Sequence, residues 1–378
     1  MHFSSRFHWD SKPNRLAEIL ARKHAEDAPV IDLSQSNPTQ AGFRYTLDVV
    51  RAFDDSAMLR YEPSPRGLLS AREAVSAYYA VRGHDVSPDR ILLTASTSEA
   101  YSYIFKLLTD PGDAVLVPRP SYPLFEYLAA MESLEVLQYP LRYDHGWSIA
   151  TDEIPPGAKL LALVNPNNPT GSFVKRGELE HLSRLGIPIV SDEVFSDYPF
   201  APDPDRIATL VDFDNCLSFS MSGLSKVAGL PQMKLGWIVV NGPADVRRNA
   251  MDKLEWIADT YLSVGAPVQC AAPKLLAFAD DFQRLIGDRT VSNLRFAREL
   301  LTGAAANILD VEGGWYATIR MPHVRTEEEY ALDLLERAGV LVQPGYFYDF
   351  ESEAYLIVSL LTEEAPFREG MARIRNLL

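Results

Sequence analysis

Short apolar runs alternate with helix-length segments along the first two thirds of the chain. The runs have the length of strands buried on both faces, and the segments between them have the apolar spacing of amphipathic helices. The predicted strands are 91–94, 114–117, 160–164, 187–191, 216–220 and 235–240, and the predicted helices are 14–25, 68–79, 98–108 and 122–131. Strands joined by helices favour an α/β fold with a mostly parallel sheet covered by helices on both faces.

The pattern changes in the last third of the chain. From 244 to 279 strand signals stop and helical periodicity takes over, which indicates a long connecting element. Beyond it, predicted strands at 316–320 and 355–360 are mixed with helices, as in a smaller α+β domain. We therefore expect an N-terminal arm (1–47) packed with the small domain, a large domain (48–275) and a small C-terminal domain (276–378).

Composition and charge exclude several classes of protein. The 378 residues include 47% hydrophobic ones and carry a formal net charge of −15, which disfavours a nucleic-acid groove or an anionic membrane surface as partner. No apolar run reaches the roughly 20 residues of a membrane span, and the first residues lack the apolar core of a secretory signal. Cys216 and Cys270 lie far apart and the histidines show no zinc-type spacing, so we expect neither disulfides nor a metal, and a cytoplasmic location.

Two of the segments that follow predicted strands carry hydroxyl and amide side chains. In open α/β sheets ligands bind beyond the carboxyl ends of the strands. The run 94–100 contains Thr97 and Ser98 at a helix start, where free amides and the helix dipole suit a phosphate; the alternative is a plain N-cap. Asn168 lies in a run of Asn, Pro, Thr and Gly that is equally typical of a turn.

Two further segments supply charged groups. Asp192 follows an apolar run, where its desolvation needs a partner such as a pyridinium N–H; an N-cap or a buried salt bridge is the alternative. Lys226 follows another strand in Ser222-Gly223-Leu224-Ser225-Lys226, where desolvation would make it nucleophilic. Lys234 precedes the next strand and could reach a phosphate, or it could be a solvated lysine at a strand start.

An amide, an acid and a lysine in this order are the groups that hold pyridoxal phosphate. The amide can bond the ring hydroxyl, the acid can keep the ring nitrogen protonated, and the lysine can form a Schiff base. These residues resemble those of the class I/II aminotransferases, the fold type I pyridoxal-phosphate enzymes, over roughly 32–359. The resemblance implies a cofactor held by Asn168, Asp192, Lys226, Lys234, Thr97 and Ser98.

The resemblance also implies two aromatic contacts and a partner. Tyr122, in Pro120-Ser121-Tyr122-Pro123, matches the residue that stacks on the cofactor ring and takes part in the reaction. Tyr61 matches a tyrosine that reaches the phosphate of the neighbouring subunit, which implies a homodimer with shared active sites. The segments 313–316 and 343–345 resemble parts of the small domain near the substrate.

The sequence departs from this family at three positions. Phe195 replaces a tyrosine that usually bonds the ring oxygen, and Lys234 stands where an arginine is usual. Ile357 occupies the place of the arginine that binds the substrate's α-carboxylate. Either another cation, such as Arg44, Arg320 or Arg66, binds the carboxylate, or the substrate presents none there.

Three functions fit these residues. The leading hypothesis is an aminotransferase that moves an amino group between an amino donor and a 2-oxo acid through Lys226. A carbon–sulfur lyase, decarboxylase or oxidase on the same scaffold is the alternative that Phe195 and Ile357 leave open. A non-enzymatic regulator is a third hypothesis, although the acidic chain and the complete set of lysine, acid and amide disfavour it.

Overall fold

The structure is a computed structural model that describes residues 3–7, 9, 12–352 and 354–378. The strands are β1 (Ile31–Asp32), β2 (Ile91–Thr94), β3 (Ala114–Arg119), β4 (Glu135–Tyr143), β5 (Trp147–Ile149), β6 (Ala158–Val164), β7 (Ile189–Asp192), β8 (Ser218–Gly223), β9 (Gly236–Asn241), β10 (Asn307–Ile308), β11 (Tyr316–Arg320), β12 (Val340–Leu341), β13 (Gln343–Pro344) and β14 (Tyr355–Ser359). The α-helices are α1 (Arg15–Ala25), α2 (Asp48–Arg51), α3 (Leu69–Val81), α4 (Thr97–Leu108), α5 (Leu124–Met131), α6 (Arg176–Ser183), α7 (Leu224–Val227), α8 (Ala244–Tyr261), α9 (Ala266–Leu276), α10 (Ala279–Leu301), α11 (Glu327–Asp333) and α12 (Glu364–Asn376).

The large sheet runs in the order β2-β9-β8-β7-β6-β3-β4-β5. The pairs from β8 through β7, β6 and β3 to β4 are parallel, which confirms the prediction of a mostly parallel sheet. Strand β9 is antiparallel to both β2 and β8, and β5 is antiparallel to β4. Because β9 runs in the opposite direction, its first residues lie at the same sheet edge as the last residues of β2, β8, β7 and β6.

Both faces of this sheet are covered, because the side chains of its strands alternate between two apolar layers. Leu160 and Ala162 of β6 pack in the layer that contains α4, α5 and α8. Leu161 and Leu163 of the same strand pack in the layer that contains α6. Helices α3 and α9 cover the same side next to β2 and β9. The prediction of helices on both faces is confirmed.

A smaller antiparallel sheet, β10-β11-β14-β13, forms the C-terminal part of the fold. One of its faces packs with α10, α11 and α12. Strand β1 pairs with β12, and Leu16 of α1 packs into the same core, so residues of the N-terminal segment contact this smaller part. The helical stretch predicted at 244–279 consists of α8, α9 and the start of α10. Within the described residues, no helix has the length and apolarity of a membrane span.

Several predicted elements begin or end at other residues. The helix expected at 122–131 starts at Leu124, because Pro123 takes the N-cap position. The strands expected at 187–191 and 216–220 are Ile189–Asp192 and Ser218–Gly223. Pro188 has no N–H to donate to a neighbouring strand, so the strand starts after it at Ile189. The Pro188 carbonyl accepts a hydrogen bond from the Leu161 N–H. Both strands thus extend further toward the residues that carry the chemistry.

Candidate active site

The structure brings six of the predicted site residues to one edge of the large sheet. Thr97 and Ser98 follow β2, Asn168 follows β6, Asp192 ends β7 and Lys226 follows β8. Lys234 precedes the antiparallel β9 and therefore lies at the same edge.

Lys226 lies on α7, the single helical turn after β8. The Leu224 N–H donates to the Leu235 carbonyl (2.9 Å), and the Tyr198 hydroxyl donates to the Lys226 carbonyl, so the backbone is held from two sides. The Lys226 Nζ lies 4.7 Å from the ring centroid of Trp315 and 5.5 Å from that of Phe195. Burial lowers the pKa of Lys226 to about 8, although the charge of Asp192 opposes this effect. Near neutral pH an appreciable fraction of this amine is uncharged and nucleophilic.

Asp192 ends β7 with a carboxylate that has little protein compensation. Desolvation raises its pKa to about 7, against the lowering effects of the Val194 N–H, which donates to Oδ1 (3.3 Å), and of the Lys226 charge. A ligand carrying a positive N–H at this carboxylate would stabilise its ionised form and bring the pKa back down.

Asn168 differs from the asparagines beside it. The Asn165 amide donates to the Ile207 carbonyl (2.7 Å) and accepts from the Val174 N–H (3.0 Å). The Asn167 amide donates to Ser121 Oγ and accepts from the Thr170 hydroxyl. Asn168 is also buried, yet its Oδ1 has no partner among the described residues. Buried polar atoms are rarely unpaired, so this amide is available to a ligand.

The start of α4 keeps donors free for a phosphate. Ser96 is the N-cap and accepts from the Glu99 N–H, while the Glu99 carboxylate accepts from the Ala95 N–H. The capping alternative is therefore fulfilled by Ser96, not by the two predicted residues. In the part of the chain that the structure describes, the amides and hydroxyls of Thr97 and Ser98 have no protein partner.

Two glycines allow the strand ends to approach closely beside this helix start. A Cβ on Gly223 would lie 2.9 Å from the Leu235 carbonyl oxygen, and one on Gly236 would lie 3.2 Å from Thr94 Oγ1. Ser222, which the sequence analysis left unassigned, adds a buried hydroxyl with no partner among the described residues. The sequence signal that could have identified Ser222 as a site residue is its position directly before Gly223, in the run that leads to Lys226.

The strand ends at Gly223 and Gly236, together with the start of α4, form what we call the phosphate cradle. Lys234 lies two residues before Gly236, beside this cradle. Its side chain is exposed, and its backbone has a left-handed φ of +52°. That conformation is uncommon for a residue with a side chain and fits a tight turn into β9.

The residues present fit pyridoxal phosphate. They offer an unpaired amide, an under-compensated acid, a desolvated lysine and a glycine-lined cradle with free donors. These are the complements of the ring hydroxyl, the ring nitrogen, the aldehyde and the phosphate.

The two predicted aromatic contacts differ in position. Tyr122 is 47% exposed, and desolvation and the Asp192 charge raise the pKa of its phenol, so it borders the site. Tyr61 is 80% exposed on the protein surface and lines a different cavity of about 590 Å³. The structure does not bring Tyr61 to Lys226 of its own chain.

The segment 313–316, which precedes and enters β11, reaches the Lys226 amine. The Gly314 N–H donates to the Tyr198 carbonyl (2.9 Å), and a Cβ on Gly313 would lie 2.6 Å from that oxygen. This contact holds Trp315 against Phe195, with ring centroids 5.2 Å apart. Tyr198 is a contact of Lys226 that no sequence signal singled out, and Trp315 was expected near the substrate only as part of the segment 313–316.

Comparisons with known proteins agree with this architecture. Residues 28–372 match the family model for "Aminotransferase class I and II". Glutamate-pyruvate aminotransferase AlaA of Haemophilus influenzae is 24% identical over 380 residues, 94% of this chain and 92% of that protein. LL-diaminopimelate aminotransferase of Dehalococcoides mccartyi is 26% identical over 385 residues, 96% of this chain and 95% of that protein. The solved alanine aminotransferase from Pyrococcus furiosus has the same fold, with a TM-score of 0.88, 23% identity, and coverage of 100% of this chain and 99% of that chain.

Proposed function

We propose roles for the site residues on the premise that this chain belongs to the class I and II aminotransferases. It is a pyridoxal-phosphate-dependent aminotransferase, a transferase that moves an amino group between an amino donor and a 2-oxo acid. The observation that supports our assignment is that Lys226 and Asp192 are buried at one sheet edge, close enough for their charges to interact. Burial displaces the pKa of each toward the uncharged form, to about 8 and about 7.

Lys226 is assigned two successive tasks. Its uncharged Nζ would hold the cofactor covalently, and when it is free the same Nζ would take up the proton from the substrate's reacting carbon. Bound pyridoxal phosphate supplies an electron sink for the charge that develops at that carbon. The hydrogen bond from Tyr198 holds the backbone of Lys226, and the rings of Trp315 and Phe195 restrict water around its amine.

The remaining residues bind and orient the cofactor. Asp192 in its ionised form would hold the ring nitrogen, Asn168 would hold the ring oxygen, and Tyr122 would contact the ring. Thr97, Ser98, Ser222 and Lys234 would hold the phosphate. Phe195 has no hydroxyl, so Asn168 is left to hold the ring oxygen without the help of a tyrosine at that position.

The protein acts in our proposal as a homodimer with shared active sites. Several large side chains are exposed on segments away from the proposed small domain: Leu59, Tyr61, Trp256 and Tyr261. A second copy covering this surface would bury them, and it would bring Tyr61 to a phosphate site that its own chain does not offer. We also propose a cytoplasmic location, with the arm, large domain and small domain bounded at about 47 and 275.

The half-reaction tests the proposed chemistry. Protein loaded with pyridoxal phosphate, mixed with a panel of amino donors and no acceptor, should convert its cofactor to pyridoxamine phosphate. Absorbance and mass spectrometry of the released cofactor measure this conversion. Release of pyruvate and ammonia from a cysteine conjugate, with the cofactor unchanged, would instead support the lyase alternative.

A further inference from the structure

One face of the small sheet turns toward Lys226, and its central row is uncharged. Ile357 of β14 pairs with Thr318 of β11 on one side and with Gln343 of β13 on the other. Ile357 is fully buried in a cluster with Phe195 and Trp315, the two rings that flank the Lys226 Nζ. The neighbours of Ile357 in its strand, Leu356 and Val358, face the opposite core. The Thr318 hydroxyl is buried without a partner among the described residues.

The cations that could replace an arginine at position 357 have other surroundings. Arg66 is paired with Glu255 (2.6 Å). Arg320, at the exposed end of β11, donates to Asn307 Oδ1 (3.2 Å). Arg44 is exposed between Phe43 and Tyr45, whose rings pack on Phe282.

Arg289 lies at the edge of the cluster that contains Ile357, and its guanidinium is engaged there by backbone carbonyls and a ring. It donates to the carbonyls of Ala41 and Leu361 and lies over the ring of Phe43. None of these cations is hydrogen-bonded to the row of Thr318, Ile357 and Gln343 within the described parts of the chain.

A cavity of about 920 Å³ adjoins this row and the active site. Gln343 and Tyr122 both line it, and so do five further aromatic side chains, Phe125, Tyr127, Tyr346, Phe347 and Tyr348. The charged side chains among the described residues that line it are Glu126 and Asp349, both acidic. Arg119 does not line this cavity. Its side chain donates to the Asp349 carbonyl, and its Nη1 lies 3.8 Å from Oε1 of Glu351.

These surroundings oppose an anion and suit an apolar group. A carboxylate placed against Ile357 would lose its hydration without gaining a counterion, which is costly in a buried site. Aromatic walls instead offer apolar area, and the acidic side chains repel a negative charge.

We infer that the preferred amino donor of this chain has an uncharged group where α-amino acids carry their carboxylate, and an aromatic or apolar body that occupies the tyrosine-rich cavity. This inference rests on the proposed function. A primary amine R–CH2–NH2 would give up its nitrogen and three hydrogens, two from the nitrogen and one from the adjacent carbon, to the carbonyl carbon and new amino group of the acceptor, and would take the acceptor's oxygen to become the aldehyde R–CHO.

Matched donors test this preference. 2-Phenylethylamine and phenylalanine, or tyramine and tyrosine, differ only in the carboxylate. The half-reaction of the cofactor-loaded protein should be at least roughly tenfold faster, in kcat/KM, with each amine than with its amino acid. A tenfold preference for the amino acids would overturn the inference, and would mean that a cation from elsewhere, such as an adjoining subunit, binds the carboxylate.

A charge restored at position 357 should reverse the preference. Ile357→Arg should shift the ratio of amine to amino acid by at least about tenfold toward the amino acid, whereas Ile357→Gln, which is polar but uncharged, should not. Equal ratios in Ile357→Arg and wild type, with both proteins folded and loaded with cofactor, would contradict our assignment of this residue.

A binding measurement keeps the test independent of turnover and of the variants. Wild-type protein should bind 3-phenylpropanamide more tightly than 3-phenylpropanoate, as followed by quenching of tryptophan fluorescence. Tighter binding of the carboxylate would overturn the inference. Failure of every donor to react, with the amide still bound more tightly, would count against transamination and leave the charge preference intact.

Discussion

Lys226 and Asp192 have opposite charges, and burial shifts the pKa of each because it penalises the charged form. The resulting pKa values, about 8 for the amine and about 7 for the acid, leave both groups ready to react or to pair with a ligand near neutral pH. A structural salt bridge would lower the pKa of the acid and raise that of the lysine. These shifts have the signs expected of a site that awaits a ligand.

The lowered pKa of Lys226 predicts how cofactor loading depends on pH. Only the uncharged amine attacks an aldehyde, so the rate of pyridoxal phosphate incorporation into cofactor-free protein should rise about tenfold per pH unit below 8 and level off above it. Asp192→Asn should move the midpoint to lower pH, because the Asp192 charge raises the pKa of Lys226. Stopped-flow absorbance measures the rates; a midpoint near the ordinary value of 10.5 would contradict the assigned environment.

Asp192 should also matter after the cofactor is bound. Asp192→Asn keeps the size of the side chain but removes the charge that holds the ring nitrogen protonated, so we expect kcat to fall by roughly 100-fold or more. Asp197→Asn, which breaks a buried pair with Arg82, is the control for loss of an acid elsewhere, and it should lower stability more than turnover. A near-native kcat in Asp192→Asn would show that this acid does not bind the ring nitrogen.

Two asparagines of the same loop make a matched pair for cofactor-free protein. Asn165→Ala removes two buried hydrogen bonds and should cost about 2–4 kcal/mol of unfolding free energy, whereas Asn168→Ala should cost less than about 1 kcal/mol. Asn168→Ala should weaken cofactor binding, because the unpaired amide is lost. Denaturant unfolding and cofactor titration measure the two effects; equal losses of stability would mean that Asn168 serves the fold.

At the scale of elements, direction was harder to predict than position. The strands at 91–94 and 316–320 were predicted with the bounds they have, because turn residues flank their apolar runs. The antiparallel direction of β9 could not be predicted, since a fully buried strand has the same pattern in either direction. That reversal is what brings Lys234 to the site edge. Tyr198 could not be placed at Lys226, and Trp315 could not be identified within 313–316 as the ring beside its amine, because such contacts depend on long-range packing.

The close approach of β8 and β9 gives a prediction for the phosphate cradle. Gly223→Ala would place a Cβ 2.9 Å from the Leu235 carbonyl oxygen, so the backbone must shift and cofactor affinity should fall by about tenfold or more. Gly287→Ala in α10 is the control, because its Cβ would meet open space. Spectroscopic titration gives the dissociation constants; unchanged affinity in Gly223→Ala would show that the phosphate does not depend on this cradle.

At the scale of the whole molecule, Tyr61 separates a monomeric site from a shared one. It is exposed and lines a cavity that does not include Lys226 of its own chain, so its predicted role requires a second copy. Mixed dimers of Tyr61→Ala and Lys226→Ala chains should regain activity, because one of the two sites then contains both native residues. Steady-state turnover at limiting cofactor measures the recovery. If mixing restores nothing while both variants remain dimeric, Tyr61 does not act across the interface.

The central claim is that Lys226 is the residue that binds the cofactor, and one trapping measurement tests it most directly. Protein loaded with pyridoxal phosphate is scanned from 300 to 500 nm, reduced with borohydride, digested and mapped by mass spectrometry. We predict a visible band that disappears on reduction and a single pyridoxyl group on Lys226, absent from Lys226→Ala. A stable pyridoxyl group on another lysine, or no band even with excess cofactor, would contradict the account.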